Sequence, residues 1–202
     1  MIGATDDAGD GSAAVPRTSG DTRAEIQEAA LDLFGRQGYE KTSLREIAER
    51  LDITKAALYY HFRSKEDLLR ALAEPLRRDM EEFLAGLDAS ARNAPDEVLG
   101  SYFDICVRHA ALLLALLRDL SSLTRVGLVE DVMGWRRRLD AVLVGEDADM
   151  PARMGAIIAL GGLQDLAVFL APEQARAHRG RAVAVALAAL LEGAGPRTPG
   201  MD

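Results

Sequence analysis

Two short stretches of helical periodicity, divided by the four-residue link Leu51-Asp52-Ile53-Thr54, constrain this chain more than any other feature. Ser43 and Glu46 stand at capping-box spacing and open a short helix that buries Leu44, Ile47, Ala48 and Leu51. Asp52 takes the turn. Thr54 is a natural N-cap for a second helix running to about His61, with Leu58 pointing inward and Phe62 closing the same core. Two helices so joined have the dimensions of a helix-turn-helix, whose second helix enters the major groove. At 3.6 residues per turn, Lys55, Ala56, Tyr59 and Tyr60 lie away from Leu58 and Phe62. The outward face therefore combines small side chains, hydroxyls and a cation.

The flanking segments are helical as well. A helix is expected from Asp21 or Thr22, with Thr22 and Glu25 at capping-box spacing and Ile26, Ala29, Ala30, Leu33 and Phe34 on one face, stopped by Gly38. Ser64 caps a longer helix in which Leu68, Leu69, Leu72, Leu76, Met80, Phe83 and Leu84 repeat at helical spacing, with a kink expected at Pro75. Beyond Pro95 further helices are expected over 95–109, 110–123, 128–144, 150–170 and 172–191, punctuated by Gly127, Gly145, Pro151 and Pro172. With 49% hydrophobic but only 5% aromatic residues and few β-branched runs, the expected fold class is all-α. The expected organisation is a disordered tail (1–20), an N-terminal three-helix helix-turn-helix domain (21–68), a larger helical domain (69–192) and a flexible Gly/Pro tail (193–202).

A net charge of −8 argues against a chain that clings to nucleic acid everywhere. The charge is unevenly spread: residues 21–78 hold about 11 basic and about 11 acidic side chains. Any DNA-binding face must be local. The lone cysteine, Cys106, cannot form an internal disulfide, and the first twenty residues lack a basic, then apolar, leader pattern, so the cytoplasm is the expected compartment. The apolar stretches 110–117 and 155–170 are too short or interrupted by Gln164 and Asp165, and no membrane span or membrane partner is expected.

The runs Thr42-Ser43-Leu44-Arg45-Glu46-Ile47-Ala48 and Thr54-Lys55-Ala56-Ala57-Leu58-Tyr59-Tyr60-His61-Phe62-Arg63-Ser64-Lys65-Glu66-Asp67-Leu68 resemble the DNA-binding domain of the tetracycline-repressor (TetR) family. The resemblance covers about 22–69, a quarter of the chain. It implies a homodimeric regulator, usually a repressor, released from operator DNA by a small-molecule effector. Carried over by position, it assigns Thr54 and Lys55 to contacts at the start of the recognition helix, beside Ala56, and Tyr59 to bases or backbone. Tyr60, His61 and Lys65 would grip phosphates, while Thr42 and the turn Ser43, Leu44, Arg45 would approach the flanking strand. Hydroxyls, cations and helix N-termini all bind phosphate oxygens. Asp52 and Ala56 depart from positions where the family often has glycine; aspartate tolerates the left-handed conformation, so the turn survives. Ala57 replaces a residue that is often polar, which leaves base preference there open.

In the second domain, Phe103, Cys106 and His109 recur at spacing three and are candidates to line a cavity, a satisfied core histidine being the competing reading. Leu113, Leu117, Met133, Trp135, Met154, Ile158 and Asp165 complete the candidate ligand-binding set. Asp165 and Gln164 serve equally as a polar hook for ligand or as a rim or dimer contact, and for Trp135 a place in the core or an interface competes with one in a ligand box. The run Arg136, Arg137, Arg138 reads as a solvated or salt-bridged face. Gly155, Ala159 and Gly162, with Ala182, Ala186 and Ala189, let helices approach closely, and the resemblance makes these two helices the expected dimer-forming pair.

Nothing in the sequence supports catalysis: it has no G-x-S-x-G elbow, no phosphate loop ending G-K-[ST] and no H-E-x-x-H, and its histidines (His61, His109, His178) are far apart. Neither a metal nor another cofactor is expected. The rival to a regulator is a helical small-molecule carrier, which would have no need of the Thr54 to Lys65 surface. For a regulator, the switch is expected to pass along the long helix after Ser64.

Overall fold

The computed structural model describes residues 19–87, 91, 93–118 and 124–194, and among them it contains ten helices and no strand. They are α1 (Ser19–Gln37), α2 (Leu44–Arg50), α3 (Lys55–His61), α4 (Lys65–Ala85), α5 (Pro95–Arg108), α6 (Ala110–Arg118), α7 (Leu128–Val144), α8 (Met150–Phe169), α9 (Pro172–Ala177) and α10 (Arg179–Ala194). Most of the tails assigned to 1–20 and 193–202, and part of the helix expected over 110–123, lie outside the described residues.

Local chemistry sets the boundaries of the first four helices. Gly38 ends α1 in the left-handed region at φ +89°, a conformation that side-chain-bearing residues rarely take, and its amide closes on the Phe34 carbonyl at 3.0 Å. The capping box at Ser43 forms in full: the hydroxyl accepts from the Glu46 amide at 3.2 Å and the Glu46 carboxylate accepts from the Ser43 amide at 2.7 Å. Asp52 carries the turn at φ +52°, and Thr54 and Ser64 cap α3 and α4 through the amides of Ala57 and Asp67. Ile26, Phe34, Ile47, Leu58, Phe62, Leu68 and Leu69 converge to exclude water from the centre of this small bundle. Each such side chain contributes about 1.5–3 kcal/mol by leaving water.

Some expected boundaries need correction. Helix α1 begins at Ser19, so Thr22 lies inside it rather than capping it with Glu25: the apolar periodicity tolerates an extra turn before Ile26. Helix α4 runs from Lys65 to Ala85 with Pro75 inside it, on its exposed side. The segment expected as one helix over 172–191 is two, parted at His178, and the second runs to Ala194, which takes Gly193 out of the tail. Helix α8 has the length and composition of a bilayer span despite Gln164 and Asp165, but one of its sides is packed against α5 and α10.

In the larger domain α8 and α10 form the most extensive pair, with α5 packed across both. The close approach has a specific cause. A Cβ on Gly155 would lie 2.8 Å from the Ala189 carbonyl oxygen, and one on Gly193 would lie 2.5 Å from that of Pro151. Helices α5 and α6 meet at a 71° bend beside His109. The small domain joins the larger one through α4, and also through α1 packing on α6, where Arg118 donates to the Arg36 carbonyl at 3.1 Å. Arg125 pairs with Glu40 at 2.9 Å across the same junction.

Candidate functional site

Helix α3 lays Leu58 into the core and leaves the rest of its circumference to solvent. Thr54, Lys55 and Ala56 are exposed, Tyr59 is 43% exposed and Tyr60 80%. Lys55 sits with its ammonium 5.7 Å from the Tyr59 ring centroid, and Tyr60 stacks edge-on against half-buried His61 at 5.2 Å. A tyrosine held this far out of the core has no packing reason to be there. Ser43 and Arg45 are exposed at the start of α2, Arg45 lying along its helix in an ion pair with Glu49 at 2.6 Å. The first-turn amides of α2 and α3 that the caps do not use, such as those of Leu44, Arg45, Lys55 and Ala56, have no intrahelical carbonyl to bond. They form two adjacent sources of partial positive charge, suited to phosphate oxygens.

Three of the residues assigned to this face do something else. Thr42 is 1% exposed; its hydroxyl donates to the Gly38 carbonyl at 2.9 Å and accepts from the Gln37 amide at 3.2 Å, so it closes the α1–α2 turn from inside. The Leu44 side chain is in the core, which leaves only its amide to the surface. Lys65 donates to three carbonyls, those of Tyr39 at 2.8 Å, Thr42 at 3.0 Å and Glu40 at 3.3 Å, with its ammonium 4.2 Å from the Tyr39 ring centroid. Its protons tie α4 to the α1–α2 turn. Sequence reasoning also missed Arg23, whose guanidinium lies over the Phe62 ring at 4.2 Å and donates to the His61 carbonyl at 2.9 Å, holding the C-terminus of α3 from α1. The spacing of Arg23 to the core face of α1 gives no sign of that reach.

The larger domain holds a partly open cavity of about 30 Å³. Of the candidate set, Cys106, Leu113 and Trp135 line it, together with Tyr102, Gln164 and Arg136, the last of which was expected on a solvated face. Phe103 is core, packed beside it. His109 is nearly buried and its Nε2 meets the Asp79 carboxylate at 2.9 Å, joined by Arg108 at 2.5 Å, so the satisfied-histidine reading holds. Bonding to His109, then Arg108, keeps the Asp79 carboxyl below the usual carboxylate range. Burial pushes the Cys106 thiol up to about 12 and the Tyr102 hydroxyl further still, so both are neutral at pH 7. Glu81 accepts from the Trp135 indole at 2.7 Å and from Arg138 at 2.8 Å, and these bonds hold its carboxyl low.

Leu117, Met133, Met154, Ile158 and Asp165 are exposed and do not line this cavity. The small residues assigned to a dimer contact also face the other way. Gly155, Ala159, Ala182 and Ala186 are buried in the α8–α10 seam within the chain, Ala189 is half-buried beside it, and Gly162 is exposed with open space before it. Opposite the seam, α8 exposes Met150, Met154, Ile157, Ile158 (59%), Leu166 and Phe169 (70%), and α10 exposes Val185 and Leu191. A helix apolar on both sides was the available signal.

A three-helix head with an outward recognition helix, carried by a larger helical body, defines a helix-turn-helix protein. Residues 26–72 match the model of the bacterial regulatory proteins of the tetR family. The regulator TtgR of Pseudomonas putida is 37% identical over 78 residues, 39% of this chain and 35% of TtgR. The class A tetracycline repressor from transposon 1721 of Escherichia coli is 50% identical over 51 residues, 25% of this chain and 24% of the repressor. The chain thus spans about a third or less of the length of these curated relatives. Among solved structures, a TetR-family regulator from Streptomyces coelicolor superposes with a TM-score of 0.67 at 20% identity, covering 92% of this chain and 94% of that one. One from Bordetella parapertussis gives 0.66 at 21%, over 83% and 94%. At such identity the likeness is one of fold. Residues 26–72 are thus similar to the tetR-family DNA-binding domain, and the chain as a whole shares the fold of the TetR-family structures.

Proposed function

We propose that this protein is a homodimeric transcriptional regulator that binds a palindromic operator and, as a repressor, is released from it by a small molecule. The carrying observation is the exposed α3 face, Thr54, Lys55, Ala56, Tyr59 and Tyr60, set beside the N-terminus of α2. Amides and hydroxyls there fix register on phosphates, and base choice falls to few side chains, with Ala56 and Ala57 limited to apolar contacts such as a thymine methyl. Arg45 becomes available to the flanking strand when a phosphate competes with Glu49.

Dimerisation follows from the apolar outer faces of α8 and α10, which a soluble monomer would leave in water. Two such faces related by a two-fold axis make a four-helix contact. The two recognition helices would then reach successive major grooves about 34–36 Å apart or a multiple of it. The relatives that are repressors support the regulatory reading. Cytoplasmic residence, without membrane attachment, accords with it. A carrier reading gives no use to the exposed Thr54, Lys55, Tyr59 and Tyr60 face.

The test is a fluorescence-anisotropy titration of duplexes tiling the region upstream of the protein's own gene, at several salt concentrations. One duplex is expected to bind tightly, and Lys55→Ala to flatten the salt slope by about one unit. Indifference to every duplex would refute the reading.

A further inference from the structure

The walls of the inner cavity carry one formal charge, and it belongs to Arg136. The rest of the lining is mostly apolar, including Leu76 and Met80 of α4 and Leu113 of α6, with the neutral polar groups of Tyr102 and Gln164 among it. Most other arginines of this domain that reach across to another helix meet carboxylates, Arg118 on the Arg36 carbonyl being the exception: Arg77 meets Asp131 at 2.6 Å, Arg138 meets Glu81 at 2.8 Å, and Arg179 holds Asp104 through two bonds of 2.7 and 2.8 Å. Arg136 is different. Its bonds are long and go to neutral oxygens, 3.4 Å to the Tyr102 hydroxyl and 3.5 Å to the Ile157 carbonyl, and among the described residues it forms no ion pair. Asp140, one turn further along α7, acts on it only at a distance; its own carboxyl is held above the ordinary range by burial.

A half-buried guanidinium without a carboxylate is an incomplete pairing in a protein that completes it elsewhere. We propose that the cavity takes an apolar monocarboxylate, whose carboxylate pairs with Arg136 and whose hydrocarbon body replaces the packing between α4, α6 and α7. This rests on the effector-responsive reading above and names the chemical class of the effector. The Tyr102 hydroxyl, which now donates to Gln164 at 3.2 Å, is placed to turn and donate to the same carboxylate. Because the cavity of about 30 Å³ is far smaller than a typical ligand site, the ligand must part its walls. Leu76 and Met80 lie on α4, the helix that begins at Lys65 beneath the recognition head, so entry bears on the DNA-binding geometry.

The chain has one tryptophan, Trp135, and it lines the cavity, so its fluorescence reports occupancy in the full-length protein. Octanoate and 3-phenylpropanoate would be titrated against their neutral counterparts, octanol and 3-phenylpropanol. The acids are expected to bind at least about tenfold more tightly, the usual scale for a charge-assisted pair. Arg136→Gln is expected to remove that preference while leaving alcohol affinity unchanged, whereas Arg137→Gln, on the exposed side of α7, is expected to keep it. Equal affinity for acid and alcohol, no binding of either, or a preference that survives Arg136→Gln would overturn the proposal. If Arg136→Gln fails to fold by circular dichroism, the acid-against-alcohol comparison on the wild-type protein decides. Operator binding, measured without any acid, is an independent readout: its absence counts against the regulator reading, and its presence with no acid preference counts against this proposal alone.

Discussion

Replacing Lys65 by methionine keeps the length and apolar body of the side chain and removes the ammonium. Two of the three carbonyls it serves, those of Tyr39 and Thr42, are part-buried, while that of Glu40 returns to water without loss. A bond to a charged group is worth roughly 1.5–3 kcal/mol net, and partial access to water takes the two part-buried bonds together to about 2–3 kcal/mol. Loss of the contact with the Tyr39 face adds about 0.5–1 kcal/mol. The expected cost is therefore on the order of 3 kcal/mol. For a chain of this size that lowers the melting temperature by about 6–12 °C. Thermal melts by circular dichroism at one fixed protein concentration measure it, because a dimer's melting point depends on concentration. Operator affinity against salt should keep its slope, since no phosphate contact has gone. An unchanged melt together with a slope reduced by about one unit would show that Lys65 leaves the α1–α2 turn to grip phosphate.

Three further outcomes are expected. Ile158→Asp with Phe169→Asp places charge on the outer face of α8, away from the chain's own core, and should give a folded monomer by sedimentation with operator binding lost; an intact dimer would exclude this face. Gly155→Ala drives a Cβ to 2.8 Å from a backbone oxygen and should destabilise by about 1–3 kcal/mol in urea titration despite the better helix propensity of alanine; no loss would mean that α10 shifts freely. Asp79, whose carboxyl is depressed in the folded state, stabilises above its ordinary range near pH 4, and that contribution disappears as pH falls through the folded value. Asp79→Asn should therefore flatten the low-pH limb of the stability curve, and an unaltered limb would remove Asp79 from that account.

Much of the head was legible because its signals are local. Ser43 with Glu46, Thr54, Asp52 and Gly38 each act within four residues of themselves, and the structure realises each one. The outward position of Tyr59 and Tyr60 follows from helical periodicity alone. Roles that depend on distant partners were not legible. Lys65 is drawn to carbonyls about 25 residues earlier in the chain, and Thr42 is turned inward by the α1 terminus. The same holds for the body. The small residues of α8 and α10 do mark a close helix contact, but small side chains cannot say whether the neighbour belongs to the same chain, and the exposed Ile157, Ile158 and Phe169 point outward only once the α8–α10 seam is known. Arg136 looked like one third of a solvated basic run, and its place at the cavity depends on how α5, α7 and α8 pack.

The most direct check on the central claim is amide hydrogen exchange of the full-length protein with and without the bound upstream duplex. First-turn amides of α2 and α3, from Leu44 and Arg45 and from Lys55 and Ala56, lack intrahelical partners and should exchange rapidly in the free protein. DNA is predicted to slow them, with α3 and the start of α2 forming the main protected region. Protection confined to other segments, with these amides exchanging as fast as before, would contradict the assignment of α3 to the groove.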